Sequence, residues 1–134
     1  MIRKLQRKQA GFTLVEIMIV VAIIGLLAAI AVPSFIRART RSQATTVLNE
    51  ARMLDAALDQ YALENNKTSS ATAAFADLTP YLKAGSKLAT NAGKDSLGNA
   101  FTIGAVSAGI KVHTTTKTAT SDATGGDAFW GPYS

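Results

Sequence analysis

Glu16 is the residue whose type and place most demand a chemical explanation. It lies among Leu14, Val15, Ile17 and Met18, and a carboxylate in such company is costly if the segment enters a bilayer. One reading is structural: an acid near a helix N-terminus is favoured by the macrodipole. The chemical reading is that Glu16 neutralises a positive group supplied within the membrane. A cut after Gly11 would create such a group, the α-amine of Phe12, four residues before Glu16. That amine could belong to the same chain or to a neighbour.

Other reactive groups are sparse. His113 is the only histidine and there is no cysteine, so no disulfide framework, thiolate site or paired-histidine metal site is expected. No phosphate-binding glycine motif and no Gly-x-Ser-x-Gly elbow occurs, and no catalytic residue is expected. Asp122 and Asp127 flank Gly125-Gly126. Two carboxylates fall short of the roughly six to eight oxygens that calcium takes, unless backbone groups supply the rest. The expectation is a solvated loop and no cofactor.

Glu16 needs an element to hold it. From Ile17 to Ile36 the chain carries twenty residues without charge, rich in Ile, Val, Leu and Ala. About twenty apolar residues in a helix cross the roughly 30 Å hydrocarbon core of a bilayer, and too little of the remaining chain could cover such a helix in a soluble fold. Residues 1–11 are short, basic and polar. A secretory signal peptide is cut after its apolar region, whereas the small residue Gly11 precedes this one, so cleavage there leaves the apolar segment on the mature protein. Four basic residues precede the run and Arg37, Arg39 and Arg41 follow it. The positive-inside rule slightly favours a cytoplasmic N-terminus. Gly25 and Pro33 interrupt the run: proline removes the bond to the Ala29 carbonyl and predicts a kink, and glycine weakens a helix by about 1 kcal/mol relative to alanine or permits close helix packing in lipid. The segment between them is where the helix could bend or unwind.

Beyond Pro33 the character changes. Val47, Ala51, Leu54, Leu58 and Tyr61 share one helical face, with Glu50, Arg52, Asp55, Asp59 and Glu64 mostly elsewhere, predicting an amphipathic continuation that stops at Asn65-Asn66. One helix from about Phe12 to Glu64 results. Residues 67–76 read as a loop, Thr79-Pro80 as the N-cap and first position of a short helix, and residues 95–99 as a turn. Phe101, Ile103 and Ala105, then Ile110 and Val112, predict a β-hairpin whose second strand Thr114–Thr118 extends. His113 falls in that strand. The tail from Thr120 to Ser134 reads as a loop whose aromatics, Phe129, Trp130 and Tyr133, tuck back. The fold class is α+β, a long N-terminal helix on a small antiparallel sheet.

The 134 residues allow one domain of ordinary size. Without residues 12–36 the remainder is rich in Ala, Thr, Ser and Gly, a thin core that needs partners. A pI near 9.8 suggests nucleic acid, but Arg3, Lys4, Arg7 and Lys8 all precede Gly11. A cut there lowers the count from 14 basic and 9 acidic residues to 10 and 9. The basicity belongs mainly to the leader.

The stretch Gly11-Phe12-Thr13-Leu14-Val15-Glu16, with the apolar run to Pro33, resembles the prepilin signature of type IV pilins and type II secretion pseudopilins. The resemblance covers residues 8–36. It implies a leader of residues 1–11, a transmembrane and assembly segment of residues 12–36, and a head of residues 37–134. It also implies a prepilin peptidase that cuts after Gly11 and N-methylates Phe12, pairing of Glu16 with the amine of an adjacent subunit to set register, and loss of helicity between Gly25 and Pro33 in the filament. The implied partners are further pilins or pseudopilins and an inner-membrane assembly platform. The implied location is the inner (cytoplasmic) membrane for a single-pass precursor, then a periplasmic or extracellular filament. Asp95-Ser96-Leu97-Gly98-Asn99-Ala100-Phe101 is similar to the Asp-Pro-Trp-Gly-Asn-Pro-Tyr segment of the major-pseudopilin branch, without both prolines and the tryptophan. That branch's acidic calcium loop is reduced here to Asp122 and Asp127, and the cysteine-closed loops of many adhesive pilins are absent.

The leading expectation is therefore a non-enzymatic filament subunit. The competing one is a minor pilin whose head binds DNA or a surface, using Lys83, Lys87, Lys94, Lys111 and Lys117, with Tyr81 or Trp130 stacking on bases. Scattered lysines also serve simply to keep a head soluble. A plain single-pass anchor leaves both Glu16 and the cleavage signal unexplained.

Overall fold

The computed structural model describes residues 11–134, so the leader from Met1 to Ala10 lies outside the described residues. The chain divides between Phe35 and Ile36 into two compact units.

In the first unit, Gly11 to Thr13 precede the helix α1, which spans Leu14–Glu64. Every residue from Leu14 to Phe35 is exposed. An 18-residue window of α1 reaches a mean hydropathy of 2.9 with none of it buried. The helix is thus long and apolar enough to cross a membrane. It runs on through Gly25 and Pro33. Ser34 Oγ, next to the proline, bonds back to the Ile30 carbonyl at 3.4 Å.

The second unit is built on the amphipathic part of α1. Ala44, Val47, Ala51, Leu54 and Leu58 have no exposed surface, and Tyr61 is half-buried, so the predicted stripe is the one that packs. Against it lie Leu78, Leu88, Phe101, Ile110, Val112 and Trp130. Asn66 ends the helix with a φ of +47°, and the Lys67 N–H closes on the Ala62 carbonyl at 2.9 Å.

After α1 come two four-residue helices, α2 (Phe75–Leu78) and α3 (Lys87–Thr90), separated by a 3-10 turn at Thr79–Tyr81. The N-cap of that turn is Leu78, not Thr79, and the Thr79 hydroxyl bonds back to the Phe75 carbonyl at 3.1 Å instead of capping. The predicted hairpin forms, with short strands: β1 (Thr102–Ile103) pairs antiparallel with β2 (Ile110–Lys111), Thr102 opposite Lys111 and Ile103 opposite Ile110. Two irregular segments extend this small sheet. Val106 N–H donates to Ala71 at 3.0 Å, and Val112 N–H to Tyr133 at 2.9 Å.

The expected extension of the second strand also fails. Thr114–Thr118 does not continue β2 but opens a helix, α4 (Thr114–Thr124). His113 is its N-cap, its Nδ1 accepting from the Thr115 N–H at 3.2 Å. Thr116 and Thr120, one turn apart, face the core and are buried. Thr118, Thr120 and Thr124 each satisfy their hydroxyl on the carbonyl four residues back. Gly125, at φ +82°, takes the left-handed position that ends the helix. β-branched residues favour strands on average, but two buried threonines at helical spacing and a cap at each end override that preference. Thr120 to Thr124, expected to begin the loop tail, belong instead to α4; beyond Gly125 the tail does tuck back, through two 3-10 turns (Asp127–Phe129 and Gly131–Tyr133), and buries Trp130 to 1% exposure.

Candidate functional site

Thr13 and Glu16 start α1 as a reciprocal pair. Thr13 is the N-cap, and its Oγ1 accepts the Glu16 N–H at 3.2 Å. In return Glu16 Oε2 accepts the Thr13 N–H at 2.8 Å and the Thr13 hydroxyl at 2.9 Å. This is a capping box, Thr-x-x-Glu. Its sequence signature is the Thr-x-x-Glu spacing of Thr13-Leu14-Val15-Glu16. The carboxylate is thereby held on its own first turn by one oxygen, while Oε1 takes no hydrogen bond among the described residues. Phe12, just ahead, is 85% exposed.

The glycines of this unit are not demanded by its own packing. A Cβ added at Gly11 or at Gly25 would meet no atom within 4 Å. The described residues of a single chain therefore offer no steric reason for glycine at either place.

A second cluster of polar groups lies inside the head, where sequence reasoning placed only a turn. Asp95 is 1% exposed. Its Oδ1 accepts the backbone N–H groups of Leu97 at 3.0 Å and Asn99 at 2.8 Å, and its Oδ2 accepts the Thr116 hydroxyl of α4. Asn99 Nδ2 donates to Thr116 Oγ1 at 2.9 Å. From α1, Glu50 Oε2 accepts the Ser96 N–H at 3.0 Å. Glu50 is 4% exposed, a correction to its expected place off the buried face. Lying three residues after Val47 and four before Leu54, about two helical turns in all, it is bracketed within the stripe, which was the missed signal. Burial raises its pKa, the Ser96 N–H opposes that, and the nearby charge of Asp95 adds to the rise while Lys87 works against it. Residues 95–99 thus form a knot that ties α1 to α4.

The remaining candidates stay apart. Asp122 is exposed on α4, while Asp127 pairs with Lys117 Nζ at 3.4 Å. Among the described residues no three His, Cys, Asp or Glu side chains come together to hold a metal ion. Lys111 Nζ donates to the Ser134 carbonyl at 2.7 Å, and the Tyr81 hydroxyl donates to Glu64 at 2.8 Å. Buried Trp130 is not available to stack on a base, which corrects that part of the DNA-binding expectation. Its burial follows from closing the head's thin core.

Residues 6–32 match the family described as the prokaryotic N-terminal methylation motif. The chain carries this prepilin motif. Similar proteins align with less than half of the chain. Type II secretion system core protein G of Pseudomonas aeruginosa is 43% identical over 60 residues, covering 45% of this chain and 42% of the relative. Type IV major fimbrial protein FimA of Dichelobacter nodosus is 48% identical over 59 residues, 44% of this chain and 37% of the relative. A fimbrial protein of Pseudomonas aeruginosa is 48% identical over 67 residues, 49% and 44% of the two chains. The aligned part spans less than half the length of these relatives. No solved structure matches the chain. The prepilin motif ends at residue 32, before the knot at residues 95–99, and from Gly11 to Val32 its residues are exposed.

Proposed function

We propose that this protein is a non-enzymatic structural subunit of a type IV pilus-like or type II secretion pseudopilus filament. The carrying observation is the prepilin motif placed at the start of a wholly exposed apolar helix. A prepilin peptidase cuts between Gly11 and Phe12 and methylates the new Phe12 amine. Residues 12–36 anchor the precursor in the inner membrane and then bundle with the same segments of other pilins or pseudopilins. Residues 37–134 form the surface of a periplasmic or extracellular filament raised on an inner-membrane assembly platform.

Three features support these roles. Glycine at position 11 serves no packing need among the described residues, as expected if a peptidase reads it. Glycine at position 25 likewise fills no intramolecular gap, which fits close approach of a neighbouring helix or local unwinding between Gly25 and Pro33. Glu16 presents one carboxylate oxygen beyond its bonds to Thr13, and that oxygen is the natural partner for the Phe12 amine of an adjacent subunit. The role needs no cofactor.

Mass measurement of the N-terminus tests the cleavage: the mature chain should begin at methylated Phe12, and a Gly11 substitution should leave the full-length precursor in the membrane. Glu16→Ala should insert and be processed yet fail to assemble. Filaments at normal abundance from that variant would sink the register role.

A further inference from the structure

We propose that Arg37, Arg39 and Arg41 form a belt that binds the phosphates of anionic phospholipids where α1 leaves the bilayer. The proposal rests on the reading of residues 12–36 as a membrane span. All three arginines are exposed and helical. No Asp or Glu occurs between Glu16 and Glu50, so none of the three has an acid at the three- or four-residue spacing that pairs charges along a helix. Among the described residues the one ion pair is Lys117 with Asp127. The nearest following acid, Glu50, is buried and accepts the Ser96 N–H. Three positive charges on one short stretch of helix therefore take their counter-charge from outside the chain.

Position selects lipid as the source. Arg37 directly follows Ile36, the last residue of the apolar run. At about 1.5 Å per residue the Cα atoms of Arg37, Arg39 and Arg41 follow that of Ile36 by roughly 1.5, 4.5 and 7.5 Å. The polar layer on each side of a bilayer is about 5–7 Å deep. At about 100° per residue, Arg37 and Arg41 fall within roughly 40° of each other and Arg39 on the opposite side, so the belt meets more than one lipid. The threonine hydroxyls around it are already used. Thr40 bonds the Ile36 carbonyl at 3.0 Å, Thr45 the Arg41 carbonyl at 3.0 Å and Thr46 the Ser42 carbonyl at 3.1 Å. The charged donors of this stretch are the guanidinium forks, whose geometry matches two phosphate oxygens at once. Bound this way, acidic lipid fixes the depth at which the subunit waits, and those contacts break when it leaves the bilayer.

The test uses the full chain in phosphatidylcholine vesicles with trace spin-labelled phosphatidylglycerol or spin-labelled phosphatidylcholine, comparing the motionally restricted fraction of each. Wild type should select phosphatidylglycerol severalfold. R37Q/R39Q/R41Q should lower that selectivity at least threefold, while R37K/R39K/R41K retains most of it; the leader cations are the same in all three. Unchanged selectivity in the glutamine variant overturns the belt and points to acidic side chains of a second copy as the counter-charge. Carbonate extraction of the same vesicles separates the two readings. A chain that is not inserted defeats the membrane span and the belt together, whereas an inserted chain without selectivity defeats the belt alone.

Discussion

The backbone N–H of Ser96 donates to Glu50 Oε2 at 3.0 Å, joining a loop to a helical residue 46 positions earlier. This bond brings a carboxylate into a core of Ala, Val and Leu, and the cost of burying it shows as a raised pKa. Folded protein thus holds the Glu50 proton more tightly than the unfolded chain does. The associated stability is fully present below the unfolded value and is lost as pH rises through the raised folded value. Acidification from neutral pH toward about pH 4.5 should therefore raise the share of stability that depends on Glu50. Glu50→Gln keeps an acceptor for Ser96 and removes the charge. Thermal unfolding of the full chain in detergent micelles should show its Tm advantage over wild type shrinking between pH 7.5 and pH 5. A constant difference would contradict the argument. Glu50→Ala strands the Ser96 N–H and should cost about 1–3 kcal/mol at either pH.

Asp95 carries more bonds than any other side chain in the head and should be the least replaceable. Asp95→Ala leaves the Leu97 and Asn99 N–H groups and the Thr116 hydroxyl without their acceptor. A loss on the order of 3 kcal/mol or more is expected. Thr116→Val, which breaks only the link to α4, should cost less, and hydrogen exchange should then quicken in α4 before α1.

Gly93 is a place where only glycine fits. Its φ is +75°, and an added Cβ would lie 2.6 Å from the Phe75 ring. Gly93→Ala should destabilise the head by about 1–3 kcal/mol. Pairing it with Phe75→Leu should recover part of the loss, since the ring is what the new methyl meets. An additive double variant would show that backbone strain alone is responsible.

What could be read from the chain follows from how far each signal reaches along it. The buried stripe from Val47 to Tyr61 was legible because a helix repeats locally, and the hairpin because alternation does too. Glu50 is harder to read because a charged side chain ordinarily signals exposure, although its spacing from Val47 and Leu54 puts it on the packed face. α4 escaped because threonines look like strand formers until Asp95, some twenty positions away, supplies a partner for Thr116. The knot at residues 95–99 is made of such distant pairings, and no local pattern encodes them. The prepilin motif lies at the other extreme, since all of it falls within one contiguous stretch.

The Thr13–Glu16 pair gives the last prediction. Thr13→Ala removes one half of the capping box, freeing the Glu16 N–H and withdrawing the hydroxyl from Oε2. Loss of an N-cap costs about 1 kcal/mol, so amide exchange at the first turn of α1 should quicken roughly fivefold in the full chain, with the rest of the helix unchanged. Thr13→Ser should restore wild-type exchange, because the hydroxyl and not the methyl makes the bonds. If capping also holds Glu16 ready for a neighbouring amine, Thr13→Ala should lower filament yield without affecting insertion, and Thr13→Ser should restore it. Normal yield combined with faster exchange would confine the pair to starting the helix, and slow exchange in Thr13→Ala would show that the macrodipole alone holds the carboxylate in place.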